Sequence, residues 1–316
     1  MKKLLGIIGI CLWAILAGGC RQDSSSGRFE EPEEIVTDFV SEYEIAEVSP
    51  GDAMKTPAGI CQLDDLIIVC DKGNHCLLVF DNNGNLVETH GTLGNSPGEL
   101  MEPTGITTVD DLLYILDAGN HRIQIWNSSF NYVDQIILEP LTHAQGGRNY
   151  IDLAMDKEGC IYVSTDSVGE PDCYIYVIEN EKISQIETPF VGYLEEAQGD
   201  VYAVNSMELY KEKNTDGGAS GSNSVYRIEN KKLVELYQLP NKFTPNDFCV
   251  ENGNLYVISA LWGQLSGLSL KTGEITPVIM LEYRSFGHYL EYISESNMFW
   301  LSDTENEKLY RIYKGG

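Results

Sequence analysis

The sequence predicts an all-β fold in which six four-stranded sheets are arranged radially, that is, a six-bladed β-propeller. Short apolar runs recur with a period near 45 residues, and the second run of each repeat ends at Asp71, Asp117, Thr165, Asn205, Ser259 and Asp303. A bulky apolar or aromatic residue stands three positions before each of these ends. No segment beyond the N-terminal one has a persuasive helical period, so strands must pack on strands. Repeats of this length built only from strands are typical of propeller blades.

The N-terminal segment has the layout of a secretory signal. Lys2 and Lys3 precede an apolar run over residues 4–17, which is too short to span a bilayer comfortably. Residues 16–20, LAGGC, resemble a bacterial lipobox, in which the signal is removed before a cysteine that carries lipid, here Cys20. An ordinary secretory signal that is cut near the same point is the alternative.

These features divide the chain into three parts. We expect a lipoprotein signal peptide over residues 1–19, a flexible tether over residues 20–33 and the propeller over residues 34–316. Acyl chains such as palmitate on Cys20 would hold the protein at a bacterial membrane, in the cell envelope, facing the periplasm or the exterior.

Charge and cysteine content exclude some classes of function. The formal net charge is -27, and such an acidic chain repels phosphate backbones, which excludes nucleic acid as a partner. Outside the signal, no cysteine pair has Cys-x-x-Cys spacing, so a zinc knuckle is not expected. Most of these cysteines lie in apolar runs and are interpreted as small buried hydrophobes. A disulfide between Cys70 and Cys76, which flank a turn, remains open.

Each repeat divides into four strands, which in the second repeat are GITTV, LLYIL, RIQIW and YVDQIIL, separated by turn-forming residues. The sixth repeat supplies three strands, and a three-stranded blade would expose an edge. Residues 34–48, EIVTDFVSEYEIAEV, are therefore predicted to provide the outer strand of the last blade and so to close the ring. Residues 211–224, which are rich in Gly and Ser, are predicted to be a flexible loop in the fourth blade.

The second strand of the first two repeats ends in the same turn, Asp-x-Gly-Asn-His, at residues 71–75 and 117–121. We expect the Asp carboxylate to accept backbone N–H groups of the turn, the Gly to take positive φ and the Asn to tolerate the left-handed region. The two histidines are interpreted as turn residues, because tips on separate blades lie too far apart to share one metal ion.

These two repeats resemble the NHL repeat. The resemblance rests on residues 57–60, PAGI, followed by IIVCD, GNH and LLVFDNNG, and on residues 103–106, PTGI, followed by LYILD and GNHRIQI. It covers residues 50–138 in motif and residues 34–316 in architecture, and it implies a six-bladed propeller. Together with the lipobox-like segment, the chain is similar to six-bladed propeller lipoproteins of bacterial surfaces.

Candidate ligand residues lie in or next to the loops that enter the innermost strand of each blade, because these loops gather around the mouth of a propeller channel. The residues expected to contact a ligand are Arg148, Tyr150, Asn246, Arg284 and His288.

Three acidic residues, Asp152, Asp247 and Glu291, align near the position that glycine holds in the first two blades. Carboxylates that converge there would bind a hard cation such as calcium, accept sugar hydroxyls, or pair with Arg148 and Arg284. A solvated acidic channel with mutually compensating charges is the alternative.

The sequence favours a binding protein over an enzyme. It contains no Gly-x-Ser-x-Gly elbow and no His-Glu-x-x-His motif, and its glycine-rich stretch lacks the Lys-Ser/Thr of a phosphate loop, so no catalytic residue is assigned. We expect a monomer that binds a protein, glycan or small ligand at one propeller face. The alternative is a metal-dependent lactonase- or lyase-like enzyme with an axial cation, since propellers related to the NHL family include such enzymes.

Overall fold

A computed structural model describes residues 39–49, 54–138, 148–167, 174–186, 190–210, 218–240, 243–281 and 287–315. The expected signal peptide, the tether with Cys20, and Arg284 lie outside these residues. In the described part of the chain, the one helical element is a three-residue 3-10 turn, Ala118–Asn120. The described residues contain no helix with the length and hydrophobicity of a membrane span.

The described strands form six separate four-stranded antiparallel sheets, which confirms the predicted six-bladed propeller. Blade one contains β2 (Pro57–Leu63), β3 (Leu66–Asp71), β4 (Cys76–Asp81) and β5 (Leu86–His90). Blade two contains β6 (Pro103–Val109), β7 (Leu112–Asp117), β8 (Arg122–Asn127) and β9 (Tyr132–Ile137). Blade three contains β10 (Arg148–Met155), β11 (Ile161–Ser167), β12 (Tyr176–Glu179) and β13 (Lys182–Gln185).

Blade four contains β14 (Val191–Ala197), β15 (Asp200–Tyr210), β16 (Gly218–Glu229) and β17 (Lys232–Gln238). Blade five contains β18 (Pro245–Glu251), β19 (Asn254–Ser259), β20 (Gln264–Ser269) and β21 (Ile275–Met280). Blade six contains β22 (His288–Ile293), β23 (Met298–Asp303), β24 (Lys308–Lys314) and the N-terminal strand β1 (Tyr43–Glu47). We call the face at which the six innermost strands begin the mouth.

The N-terminal strand closes the ring, as the sequence predicts. β1 runs antiparallel to β24, with Tyr43 opposite Lys314 and Glu47 opposite Tyr310. Charge supports this pairing, because Lys308 Nζ lies 2.5 Å from a Glu47 carboxylate oxygen. Of the predicted segment, residues 34–38 lie outside the described residues.

Burial follows the radial order of the strands. The second strand of blade one, LIIVCD, is buried along nearly its whole length, because inner strands are covered on both faces by neighbouring blades. The outer strand of blade two, YVDQII, has half of its residues exposed. The aromatic position that recurs in the repeats is a core position in blade six, where Trp300 is fully buried.

The Asp-x-Gly-Asn-His turn forms as predicted at the aspartate but not at the glycine or asparagine. Asp71 accepts hydrogen bonds from the backbone N–H groups of Asn74 and Lys55, both at 3.1 Å. The left-handed residue is His75, with φ of 60°, and the histidine of the second copy has φ of 52°. Gly73 is needed for space instead, because a Cβ there would lie 2.6 Å from Lys55 Cβ.

The Gly/Ser-rich segment of blade four is more regular than predicted. Residues 218–224 belong to β16, which pairs with β15 as far as Tyr210 opposite Gly218. Only the tip, residues 211–217, lies outside the described residues. Small side chains therefore do not prevent strand pairing here, since the backbone ladder supplies the hydrogen bonds.

The open question of a disulfide in blade one has a negative answer, because Cys70 and Cys76 are both free thiols. Across the hairpin, Cys76 is opposite Asp71 and Cys70 is opposite Leu77. Successive residues of a strand point to opposite faces, so the two cysteines lie on different faces of the sheet.

Candidate functional site

The innermost strands follow two backbone patterns near the mouth. In blades one, two, three and five, the pairing between the first and second strands shifts register near the mouth, because the innermost strand has one extra residue there. The last residues before regular pairing resumes are Gly59, Gly105, Asp152 and Asp247. In blade six the ladder is regular at this level. In blade four the register shifts between Val191 and Gly192, but the extra residue lies on β15 and not on the innermost strand. The corresponding residues of these two blades are tyrosines, Tyr193 and Tyr289.

The two glycines are required by the close approach of the next blade. A Cβ at Gly59 would lie 2.6 Å from the backbone oxygen of Thr104 in blade two. A Cβ at Gly105 would lie 3.0 Å from an oxygen of Asp152 in blade three. Neither position has room for a side chain, which is the reason why the sequence has glycine there.

The two aspartates at the same level bridge neighbouring blades. Asp152 accepts hydrogen bonds from the N–H of Leu153 at 2.9 Å and, in blade four, from the N–H of Leu194 at 3.0 Å. Asp247 accepts a hydrogen bond from the N–H of Leu290 in blade six at 2.7 Å. These carboxylates therefore bind backbone donors of the next innermost strand.

The tripeptide Tyr-Leu-Glu occurs at residues 193–195 and again at 289–291, in the two blades whose innermost strand has no extra residue. Period-two alternation directs the tyrosine and the glutamate of each copy to the same side. In blade six Tyr289 holds the glycine level, and Glu291 lies two residues further along the strand. Glu195 was missed by sequence reasoning, although the repeated tripeptide could have revealed it.

The two tyrosines pack together at the mouth end of the channel. The rings of Tyr193 and Tyr289 have centroids 5.4 Å apart and meet edge to face at 86°. The hydroxyl of Tyr289 donates to the backbone oxygen of Ile151 at 3.4 Å, which links blade six to blade three. Both side chains are buried. The tyrosine pair therefore covers the glutamates that follow it along the same strands.

A cavity of about 140 Å³ lies in the channel and is lined by five acidic residues and by other inner-strand residues. Four of the acids, Asp152, Glu195, Asp247 and Glu291, form the channel cluster, whereas the fifth, Glu196, is exposed. No Lys or Arg is among the residues that line the cavity in the described part of the chain. The volume suffices for several water molecules.

Burial without a basic neighbour raises the pKa of all four acids. Desolvation raises the pKa of Asp152 to about 7 and, with a contribution from the charge of Asp152, that of Glu291 to about 8. Desolvation and then the charge of Glu291 raise the pKa of Glu195 well above its ordinary value. Desolvation and then the charge of Asp152 do the same for Asp247. The cluster therefore favours protonated carboxyls over carboxylates near neutral pH.

Comparison with known proteins identifies the family. A family model described as a 6-bladed beta-propeller matches residues 53–258. The chain belongs to this 6-bladed beta-propeller family. None of the curated proteins compared with the sequence matches it.

Several solved structures share the fold of this 6-bladed beta-propeller at low sequence identity. Virginiamycin B lyase from Staphylococcus aureus is 12% identical with a TM-score of 0.56, over 86% of this chain and 99% of that one. A gluconolactonase from Xanthomonas campestris is 11% identical with a TM-score of 0.62, over 86% and 90%. A protein of unknown function from Bacteroides thetaiotaomicron is 14% identical with a TM-score of 0.61, over 86% and 76%. These likenesses establish the fold alone.

The expected calcium ligands do not form a ligand set in this 6-bladed beta-propeller. Within the described ranges, no group of three or more His, Cys, Asp or Glu side chains is arranged to hold a metal ion. Asp152 and Asp247 bind backbone N–H groups of the next blade instead. The pairing of these acids with Arg148 and Arg284 stays a prediction, because the side chain of Arg148 and all of Arg284 lie outside the described residues.

The other predicted ligand residues lie at the mouth ends of the innermost strands and are buried. Tyr150 packs edge to face on His121, with ring centroids 5.9 Å apart. Asn246 donates from Nδ2 to the backbone oxygen of His288 at 3.3 Å. Nε2 of His288 lies 3.7 Å from a carboxylate oxygen of Asp303. Direct ligand contact by Tyr150, Asn246 and His288 stays a prediction.

Proposed function

We propose that this 6-bladed beta-propeller is a non-catalytic binding protein of the bacterial cell envelope, anchored by lipid on Cys20, and that it binds a protein, glycan or small ligand with the loops at its mouth. The observation that carries the proposal is the occupation of the channel by its own side chains. Tyr193 and Tyr289 cover the mouth end, and Asp152 and Asp247 are bonded to neighbouring backbones. A ligand that approaches this face meets the loops before it meets the carboxylates.

The anchor is tested by metabolic labelling with a palmitate analogue. We expect label on the wild-type chain and its recovery with membranes, because residues 16–20 resemble a lipobox. Cys20→Ser should lose the label and leave the membrane fraction. Label that persists in the Cys20→Ser variant would refute this part of the proposal.

Mouth binding is tested by presenting the full-length protein to a glycan array and to a random peptide library. Leu261, in the loop between β19 and β20, is 40% exposed at the mouth, whereas Val133 is 52% exposed on the outer strand of blade two. Bound glycans or peptides should be weakened by Leu261→Asp or by other mouth substitutions and not by Val133→Asp. Binding that responds only to outer-strand substitutions, or no binding to either panel, would contradict the proposal.

A second candidate is a lactonase- or lyase-like enzyme that uses the channel acids. The observation in its favour is that burial brings the pKa of Asp152 to about 7 and that of Glu291 to about 8, the range in which a carboxyl group exchanges protons at neutral pH. A panel of sugar lactones tests it. Hydrolysis that is lost in Glu291→Gln and Glu195→Gln would favour the enzyme, and no hydrolysis by the wild type would remove it.

A further inference from the structure

We infer that the loop of residues 91–102, which joins blade one to blade two, is the recognition loop of the mouth and that it docks an uncharged, apolar peptide segment of a partner protein. The inference rests on the proposed binding function. The connection from β13 to β14, residues 186–190, shows that five residues suffice to join two blades, whereas this loop has twelve. The loop is therefore longer than is needed to connect two blades.

A buried arginine of blade two holds the loop in one conformation. Arg122 is 5% exposed, and its Nε donates to Asp117 at 2.7 Å. Its Nη1 donates to the backbone oxygen of Asn95 at 3.0 Å, and its Nη2 donates to those of Ser96 at 3.0 Å and Glu99 at 2.8 Å. Burying a guanidinium carries a desolvation cost. Here the guanidinium is bonded to loop carbonyls in three places.

Two amide side chains of the same blade add to this clamp. Gln124 is fully buried, donates to the backbone oxygen of Glu99 at 2.6 Å and accepts from the N–H of Gly98 at 3.0 Å. Asn120 donates to the backbone oxygen of Gly94 at 2.8 Å. Both halves of the loop are therefore fixed before any partner arrives. Such preorganisation removes part of the entropy cost of binding.

The outer surface of the loop contains an uncharged segment with an exposed leucine. Residues 91–98, GTLGNSPG, contain no charged side chain, although the whole chain has a formal net charge of -27. Leu93 is 60% exposed, whereas its bridge partner Leu100 is buried beneath it. The other exposed residues of this surface are Thr92, Asn95, Ser96 and Pro97. Glu99 and Glu102 follow this uncharged segment in the loop, and Glu102 is exposed. An exposed leucine on the rigid, uncharged segment of residues 91–98 suits an apolar segment of a partner better than a highly charged one.

The test uses peptides selected from a random library on the full-length wild-type protein, with dissociation constants measured for each synthetic peptide. Leu93→Ser should weaken the selected peptides by about tenfold or more, since an exposed anchor is lost without a change in the fold. Val133→Ser is the matched control, because Val133 is 52% exposed on an outer strand. It should leave affinity unchanged, and both variants should melt at the wild-type temperature.

The outcomes separate this inference from the proposed function. Peptides that are lost with Leu261→Asp but bind equally well to Leu93→Ser would overturn the inference and leave mouth binding in place. Selected peptides dominated by charged residues would likewise overturn it. The failure of every peptide and glycan to bind the wild type would overturn both.

Discussion

The first two blades and the last four solve the same packing problem with different chemistry. At the mouth level of the innermost strand, blades one and two have Gly59 and Gly105, and the backbone of the next blade occupies the space of a side chain. Blades three and five have aspartates that bridge to the next strand, and blades four and six have tyrosines that pack on each other. All six blades line the channel cavity, but its acidic residues all come from the last four blades.

This difference shows how the repeat can diverge while the ring stays closed. Where the register shifts at a glycine, the backbones of two neighbouring blades approach closely. Where it shifts at an aspartate, the carboxylate accepts a backbone hydrogen bond from the next blade. An innermost strand without the extra residue brings a larger side chain to the same level. The chemistry of this channel therefore depends on which blades have acidic residues, because blades one and two contribute only uncharged residues to the cavity lining.

Placing the aspartate of blade three in blade one should cause the largest loss. In Gly59→Asp the new Cβ would meet the backbone oxygen of Thr104 at 2.6 Å, and a backbone atom yields less than a flexible side chain. We expect a loss of about 3 kcal/mol in the free energy of unfolding, measured by urea denaturation. Val133→Asp is the control for added charge, because Val133 is 52% exposed on the outer strand of blade two. A Gly59→Asp variant as stable as this control would refute the close-packing account.

Removing an aspartate bridge should have the next largest effect. Asp247→Ala leaves the N–H of Leu290 without its 2.7 Å acceptor in a buried region, which should cost about 2 kcal/mol of unfolding free energy. Asp247→Asn keeps an acceptor oxygen at this position and should be less harmful. Equal losses in the two variants would mean that the hydrogen bond is not the cause.

The four-carboxylate cavity predicts that stability falls as pH rises. Burial raises the pKa of Glu291 to about 8 from an unfolded value of 4.5, so the folded state binds more protons between these values. Stability should decrease by about 1.4 kcal/mol per pH unit for each such group in this window, and the loss should level off above it. The Glu195→Gln/Glu291→Gln double variant should show a shallower slope in urea denaturation from about pH 5 to about pH 8. An unchanged slope would mean that Glu195 and Glu291 do not cause the dependence of stability on pH.

The ionic contact at ring closure should have the smallest effect. Lys308 and Glu47 are 2.5 Å apart, but both side chains are more than one third exposed. Lys308→Ala should therefore cost less than about 1 kcal/mol, and added salt should reduce the difference. A loss that exceeds that of Asp247→Ala would mean that closure depends on charge more than on strand pairing.

The sequence predicts the architecture better than it predicts the site. The structure confirms three predictions that rest on local sequence patterns. These are the repeat period, the alternation of strands and turns, and the N-terminal strand that closes the ring. The turn histidines show the limit of local reasoning, because His75 rather than Asn74 adopts the left-handed conformation. Side-chain identity at a turn does not determine which residue absorbs positive φ.

The channel could be predicted only in part because its geometry depends on irregularities in the strand ladder. One extra residue before Asp152 and Asp247, and none before Tyr193 and Tyr289, shifts the alignment of the innermost strands. Glu291 therefore lies two residues beyond the level that glycine holds in the first two blades. Irregularities of this kind depend on pairing between strands, which a single sequence does not record.

Burial without a basic neighbour raises the pKa of the channel carboxyls, so we expect them to be largely protonated near neutral pH and not to bind calcium. The most direct test is thermal unfolding of the full-length protein with and without calcium, for the wild type and the Glu195→Gln/Glu291→Gln variant. The account predicts that calcium leaves the wild-type midpoint unchanged and that the variant melts at or above the wild-type temperature at neutral pH. A rise of the wild-type midpoint with calcium that disappears in the variant would contradict it.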